Sequence, residues 1–173
     1  MKIAVISYSL TGNNDALAAC IAKELSAEQI KISTRKSMNN GAIMLDMLFG
    51  RTPRSQPGPE IMDKFDLILF FGPIWMGQVA SPLRAYLQYL KKSPKRYGFL
   101  SISGGADGDN PKLRGELLKR AGAAPVLLLD QHIADLLPTD QKPERKDTSA
   151  YTITPAEAER LTNKAVEVIR NTF

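Results

Sequence analysis

Residues 7–15, SYSLTGNND, place hydroxyl and amide side chains around a single glycine, directly after the apolar run 3–6 and directly before a helical pattern. Backbone N–H groups at a helix N-terminus form an anion site, and neighbouring hydroxyls add donors. Gly12 permits a tight turn and a close approach by a ligand. A phosphate site and plain turn-and-cap chemistry both explain the loop, whose candidate ligands are Ser9, Leu10, Thr11, Gly12, Asn13 and Asn14.

A second candidate loop, GPIWMGQVASP at residues 72–82, contains the only tryptophan of the chain. A tryptophan beyond a strand end is poorly explained by core packing and is well suited to stacking on a flat ligand. The alternative is an indole folded back onto the protein surface. The candidate residues here are Pro73, Ile74, Trp75, Met76 and Gly77.

The third loop, SGGADGDNP at residues 103–111, is rich in glycine. Glycines let the backbone come close to a planar group, although a simple flexible loop is the alternative. Its candidate residues are Gly104, Gly105, Ala106 and Asp107. Taken together, the three loops suit a flat heterocycle that carries one phosphate.

Other nucleotide and nucleophile motifs fit badly. Gly72 and Gly77 have the spacing of a Walker A loop, but Gln78 and Val79 follow them instead of Lys and Ser or Thr. The first turn lacks G-x-G-x-x-G, and no G-x-S-x-G elbow occurs. Cys20 has Ser26 where a cysteine phosphatase loop would have arginine.

Near-continuous apolar runs at 2–7, 66–71, 97–103 and 125–130 are typical of strands buried on both faces of a parallel sheet. A weaker alternating run at 28–33 predicts a more exposed strand. Amphipathic patterns predict helices at 13–26, 82–91, 111–121 and 155–170. This alternation predicts an α/β fold with an open, doubly wound, five-stranded parallel sheet and helices on both faces. Ligands bind such sheets at the carboxyl ends of the strands, where the three candidate loops lie.

Helix starts are marked by Ser81-Pro82, Asn110-Pro111 and Thr154-Pro155, each of which places a capping residue before a first-turn proline. Residues 34–64 are less clear: 44–49 suggest a short helix, and an irregular loop follows. Residues 131–150 look like a polar excursion. We find no internal repeat and no domain boundary, so residues 1–173 are expected to form a single domain.

Composition excludes several functional classes. One cysteine and one histidine rule out an internal disulfide and make a structural zinc site very improbable. No apolar run approaches a membrane span, and no cleavage site follows the N-terminal segment, so we expect a cytoplasmic protein. The net charge of +5 allows association with acidic partners, but no nucleic-acid-binding signature accompanies it.

The sequence resembles the flavodoxin family. SYSLTGNND looks like the phosphate loop of that family, and FDLILFFGPIWMGQVASPLRAYL looks like its third strand, flavin loop and following helix. The resemblance implies strand order 2-1-3-4-5 and non-covalent flavin mononucleotide (FMN). It assigns the phosphate to residues 9–14, the ring faces to Trp75 and Met76, and the ring edges to the backbone of Gly77 and 104–107.

Two departures bear on function. Asn14 stands where the family often has threonine and still offers an amide donor. Electron-carrier flavodoxins are typically acidic, whereas this chain is basic. We therefore expect an NAD(P)H-linked reductase of quinones or similar small acceptors. The alternatives are a one-electron carrier serving a redox partner protein, and a flavin-free binding module of the same fold. No catalytic acid or base is assigned, and His132 is interpreted as structural.

Overall fold

The computed structural model describes residues 1–35, 38–138 and 143–173, and its centre is a five-stranded parallel sheet. The strands are β1 (Ile3–Ser7), β2 (Glu28–Lys31), β5 (Leu67–Phe71), β8 (Arg96–Ser103) and β9 (Leu127–His132). They lie in the order β2-β1-β5-β8-β9. By position in the sheet this is the order 2-1-3-4-5, so the sequence prediction is confirmed.

Helices cover both faces of the sheet. The helices α1 (Asn13–Glu24) and α6 (Pro155–Thr172) pack on one face, and α3 (Arg84–Lys92) and α4 (Leu113–Ala121) pack on the other. Alternate residues of each strand enter the two apolar clusters. In β5, Ile68 and Phe70 join the α3–α4 side, while Leu69 and Phe71 join the α1–α6 side. The sheet is therefore buried on both faces, as its near-continuous apolar strands predict.

Two short ribbons extend the strand ends. The strand β3 (Ser33–Thr34) pairs antiparallel with β4 (Ser55–Gln56), and helix α2 (Asn40–Leu48) lies between them in sequence. The strand β6 (Ile74–Trp75) pairs antiparallel with β7 (Gln78–Val79) directly after β5. A short helix in residues 34–64 is thus confirmed, although it begins and ends earlier than predicted.

The last strand lies two residues later than predicted. Pro125 has no backbone N–H to donate, and β9 begins at Leu127. It then continues to His132, which pairs with Ser103 of β8. Within the predicted excursion 131–150, the structure has a 3₁₀ turn, Ile133–Leu136, and helix α5 (Arg145–Ser149). The part of that excursion at 139–142 lies outside the described residues.

Only one of the three predicted helix caps is correct. Thr154 accepts a hydrogen bond from the N–H of Glu157 in a reciprocal capping box. Ser81 and Asn110 do not cap a helix by their side chains. The Ser81 hydroxyl donates to the Asp46 carboxylate (2.7 Å), and the Asn110 amide donates to the Asp130 carboxylate (2.8 Å). The side chains of Ser81 and Asn110 therefore bond carboxylates that are distant in sequence instead of capping a helix.

All five tyrosines have raised pKa values. Burial is the main cause for Tyr8, whose pKa rises to about 12, and for Tyr86 and Tyr97. A hydrogen bond to a carboxylate is the main cause for Tyr89 and Tyr151. The folded chain therefore keeps phenol protons that an unfolded chain releases near pH 10.

We expect the free energy of unfolding to fall as the pH rises from about 10 towards 12, because the unfolded state then binds fewer protons than the folded state. Below about pH 10 the tyrosines do not make the free energy of unfolding depend on pH. Urea denaturation at several alkaline pH values measures this loss, and tyrosinate absorbance follows ionisation in the folded protein. Tyrosinate absorbance that develops fully near pH 10 while the protein stays folded would contradict the prediction.

Candidate functional site

A cleft of about 540 Å³ opens at the carboxyl ends of β1, β5 and β8. The three candidate loops meet there, which is the position expected for a ligand in an open parallel sheet. All of the candidate residues line the cleft except Ser9 and Gly12, which lie in its first loop. The candidates in the cleft are Leu10, Thr11, Asn13, Asn14, Pro73, Ile74, Trp75, Met76, Gly77, Gly104, Gly105, Ala106 and Asp107.

The first loop is shaped by Ser9. Its Oγ accepts hydrogen bonds from the N–H of Gly12 (2.9 Å) and the N–H of Asn14 (3.2 Å). Gly12 precedes α1 with φ of 95°, a backbone conformation that favours glycine. Within the described chain, the backbone N–H groups of Leu10, Thr11 and Asn13 have no protein acceptor. The loop thus offers open backbone donors at the positive end of a helix, which suits an anion.

The asparagine amides of this loop are engaged with backbone groups of the protein. The Asn14 side chain donates to the C=O of Ile102 (3.1 Å) and accepts from the N–H of Ile102 (3.0 Å). The Asn13 side chain donates to the C=O of Tyr151 (2.7 Å) and accepts from the N–H of Ile153 (3.1 Å). The carbonyl oxygen and one N–H of the Asn14 amide are therefore engaged with Ile102, and a role for Asn14 towards a phosphate stays a prediction. Both side chains therefore connect the loop to backbone groups that are distant in sequence.

The second loop is a tight hairpin. Met76 and Gly77 connect β6 to β7 with φ of 52° and 74°, the positive values that a type I′ turn requires at both central positions. Trp75 is half-buried and lines the cleft, while its ring meets Tyr8 edge-to-face at a centroid distance of 6.0 Å. Trp75 and Ile74 also pack against the apolar cluster beneath them. The indole thus both lines the cleft and packs against the protein, so it combines features of the two alternatives that the sequence left open.

The third loop is anchored to the end of β9 by Asp130. Its carboxylate accepts hydrogen bonds from Asn110 (2.8 Å) and Ser103 (3.2 Å), and the ring nitrogen of His132 lies 3.3 Å away. Burial raises the pKa of the Asp130 carboxyl, and these hydrogen bonds act in the opposite direction. His132 packs beneath Gly105, in agreement with a structural role for the histidine.

Gly105 has no room for a side chain. Its φ is +73°, and an added Cβ would overlap the Cβ and Cγ of His132. Gly108 has a similar φ of +84° but open space around it. We expect Gly105→Ala to lower the free energy of unfolding by about 2 kcal/mol more than Gly108→Ala, because only the first adds overlap to backbone strain. Urea denaturation of both variants measures the difference. Equal losses of unfolding free energy would show that His132 leaves room for a side chain at position 105.

The sequence analysis missed two parts of the cleft. Ile43 and Met44 of α2 line one side, and Arg145, Thr148 and Ser149 of α5 line another. Both helices lie in the segments that the sequence patterns left unclear. Four of the remaining lining residues lie within three residues of predicted candidates; they are Ile102, Ser103, Gly108 and Asn110. The last, Ile133, follows β9.

Charge in the cleft is confined to its mouth. Among the described lining residues, Arg145 is the only cation and Asp107 the only carboxylate. Their side chains form an ion pair of 2.8 Å, and both are largely exposed. An exposed pair of this kind contributes little stability, so either partner is available to a charged ligand.

A buried arginine supports two sides of the cleft. The Arg84 guanidinium is fully buried and donates to the carbonyls of Asp46 and Arg51, both at 3.0 Å. It also donates to Gln78 Oε1 (3.1 Å) and contacts Met47 Sδ (3.3 Å). Burial, followed by the charge of Arg120, lowers the pKa of Arg84. One side chain therefore holds α2 and the β6–β7 hairpin together.

In the described chain, no cluster of three or more metal-ligating side chains occurs, and no helix is long and apolar enough to cross a membrane.

Comparisons with known proteins identify the fold. No protein-family model matches the sequence, and no curated protein matches it. A flavoprotein in complex with FMN from Lactobacillus acidophilus NCFM superposes with a TM-score of 0.64 at 19% identity, over 75% of this chain and 93% of that one. A flavodoxin, WrbA-like protein from Agrobacterium tumefaciens gives a TM-score of 0.53 at 13% identity, over 99% of this chain and 98% of that one.

Two-electron reduced Megasphaera elsdenii flavodoxin gives a TM-score of 0.52 at 15% identity, over 95% of this chain and 98% of that one. These similarities, with the observed strand order, show that the chain has a flavodoxin-like fold. The resemblance noted in the sequence is confirmed at the level of the fold.

Proposed function

We propose that this protein binds FMN non-covalently in the cleft and acts as an NAD(P)H-linked reductase of quinones or similar small acceptors. The observation that carries the proposal is the set of open N–H groups of Leu10, Thr11 and Asn13 beside an aromatic and glycine-lined cleft. Structural neighbours include a protein whose structure contains FMN, which supports the same ligand.

The residues present fit the parts of FMN. The loop 9–14 supplies neutral donors and the positive end of α1 for a phosphate dianion. Trp75 and Met76 line the cleft and would contact the ring faces, while Pro73 and Ile74 would shape the approach to them. The backbone of Gly77 and of 104–107 would approach the ring edges, and the glycines at 77, 104 and 105 add no side chain there.

The bound flavin would supply the electron chemistry by accepting two electrons from a donor and passing them on singly or in pairs. The protein would orient the ring, limit its contact with water and tune its potential through stacking and backbone hydrogen bonds. No protein acid or base is assigned to the reaction. The basic net charge favours the reductase over an ordinary acidic carrier.

The first test is an absorption and fluorescence titration of the purified protein with FMN. We expect flavin bands that remain with the protein and quenched flavin fluorescence. Trp75→Ala should weaken FMN binding by about tenfold or shift its potential, because the indole contact with the ring is lost. Leu118→Ala, at an exposed position on α4, should leave binding unchanged.

The outcomes separate the three functional classes. A protein that ignores FMN contradicts the proposal and leaves a flavin-free binding module. FMN binding with rapid NAD(P)H oxidation in the presence of a quinone supports the reductase. FMN binding without such turnover favours a one-electron carrier that serves a partner protein.

A further inference from the structure

Helix α2 carries apolar side chains on its exposed side as well as on its buried side, where Met47 is 8% exposed. Its exposed side carries Met44, Leu45 and Leu48, and Phe49 follows at its end, with exposed fractions of 49%, 44%, 67% and 72%. Asp46 is only 8% exposed, and its carboxylate accepts a hydrogen bond from the Ser81 hydroxyl. Surface helices normally turn apolar side chains inward and charged ones outward. We refer to residues 44, 45, 48 and 49 as the α2 apolar face.

The α2 apolar face continues to the mouth of the cleft. Met44 belongs to both, and the exposed Leu10 and Met76 line other parts of the same cleft. Six of the nine large exposed apolar side chains in the described chain therefore lie on this face or in this cleft. Single exposed apolar residues are ordinary, but a contiguous group of them marks an interaction surface.

Arginines flank the α2 apolar face on both sides in sequence. Arg35 follows β3 and Arg54 precedes β4, so the pairing of Thr34 with Ser55 brings these two arginines to the same end of the ribbon. Arg51 follows the helix. All three are exposed, and none forms an ion pair within the described chain.

Between positions 35 and 54, the exposed charged side chains that the structure describes are all arginines. The only acidic residue between positions 35 and 54 is Asp46, which is buried against Ser81. A second copy of the chain docking on the same face would bring two arginine groups together and is disfavoured by their repulsion. A surface that combines hydrocarbon with negative charge matches both features of the face.

We propose that the α2 apolar face and its arginines form a docking site for an anionic phospholipid surface. The apolar side chains enter the boundary between headgroups and acyl chains, while the arginines contact the phosphates. Docking does not depend on flavin. It has one consequence that rests on the proposed function: since Met44 lies in the cleft, an acceptor dissolved in the lipid reaches the cleft directly from the membrane surface.

The test is co-sedimentation of the purified chain, residues 1–173, with two kinds of vesicle. One contains phosphatidylcholine alone, and the other contains equal parts of phosphatidylcholine and phosphatidylglycerol. We expect binding to the mixed vesicles that weakens as salt is added. The Leu48→Ser, Phe49→Ser double variant should lose at least about tenfold in partition coefficient, because its substituted residues no longer enter the apolar boundary. The Arg51→Gln, Arg54→Gln double variant should lose the preference for phosphatidylglycerol.

A matched control comes from exposed apolar residues outside the α2 apolar face. Leu118 and Val126 are exposed at 46% and 45% and lie away from α2 in sequence, so Leu118→Ser, Val126→Ser should bind vesicles like the parent. Circular dichroism confirms that each variant is folded. Running the assay with and without added FMN separates docking from flavin binding, so failure of one proposal does not obscure the other.

Three results would overturn the docking proposal. The first is no binding to either kind of vesicle, and the second is equal binding by the parent and the Leu48→Ser, Phe49→Ser variant. The third is a parent that is dimeric by size-exclusion chromatography, becomes monomeric in that variant and ignores lipid. This last result would assign the face to a second copy of the chain.

Discussion

Asn14→Leu should lower the free energy of unfolding by about 2–4 kcal/mol and the affinity for FMN by at least about a hundredfold. The Asn14 amide satisfies both the N–H and the C=O of Ile102 at a buried position. Leucine fills a similar volume but leaves both backbone groups unpaired, and each buried unpaired group costs about 1–3 kcal/mol. The loop would also lose its attachment to β8, so its N–H groups would no longer be held in one arrangement.

Urea denaturation and FMN fluorescence titration measure the two effects of Asn14→Leu. Thr11→Val is the matched control, since it removes a hydroxyl from the same loop without touching Ile102. We expect it to leave the free energy of unfolding within about 0.5 kcal/mol of the parent. If Asn14→Leu is as stable as Thr11→Val, the amide bridge to Ile102 does not hold the loop.

The second large effect is expected from Arg84→Met, which should cost about 2–3 kcal/mol of unfolding free energy. Methionine removes the charge, so the cost of burying a cation disappears, but the Arg51 carbonyl loses its hydrogen-bond donor. The Asp46 carbonyl keeps the N–H of Arg51, and Gln78 Oε1 keeps Arg120 at 3.4 Å, which limits the loss.

Arg84→Met should also loosen the cleft locally. Hydrogen exchange is expected to quicken in α2 and in the β6–β7 hairpin, because Arg84 joins these two elements. Arg170→Met is the control, since Arg170 is exposed near the end of α6. Faster exchange confined to regions remote from both elements, or none at all, would contradict the assigned role.

The architecture was accessible from sequence because its signals are local. The five residues of β5 are all fully buried, and an unbroken apolar run such as Leu67–Phe71 predicts that environment directly. Thr154 and Glu157 form a cap within one turn of helix. The position of the candidate loops could also be predicted, because the carboxyl ends of parallel strands lie at the same edge of the sheet.

The roles of individual polar groups were not accessible in the same way. Asn14 meets Ile102 across 88 residues, and Asn13 meets Tyr151 across 138 residues. No spacing rule identifies such partners. Arg84 reads as an ordinary polar position at the start of a helix, yet it is fully buried, because carbonyls of α2 and the following loop converge on it.

The hydrogen bonds of Asn13 have a consequence during synthesis on the ribosome. Its partners, Tyr151 and Ile153, follow it by 138 and 140 residues. At about 5–20 residues per second, they are translated roughly 7 to 28 s after Asn13. The loop after the first strand therefore cannot form all of its final hydrogen bonds until residues 151–153 have been synthesised. Nascent chains that stop before residue 151 should form much of the sheet and still lack the completed loop.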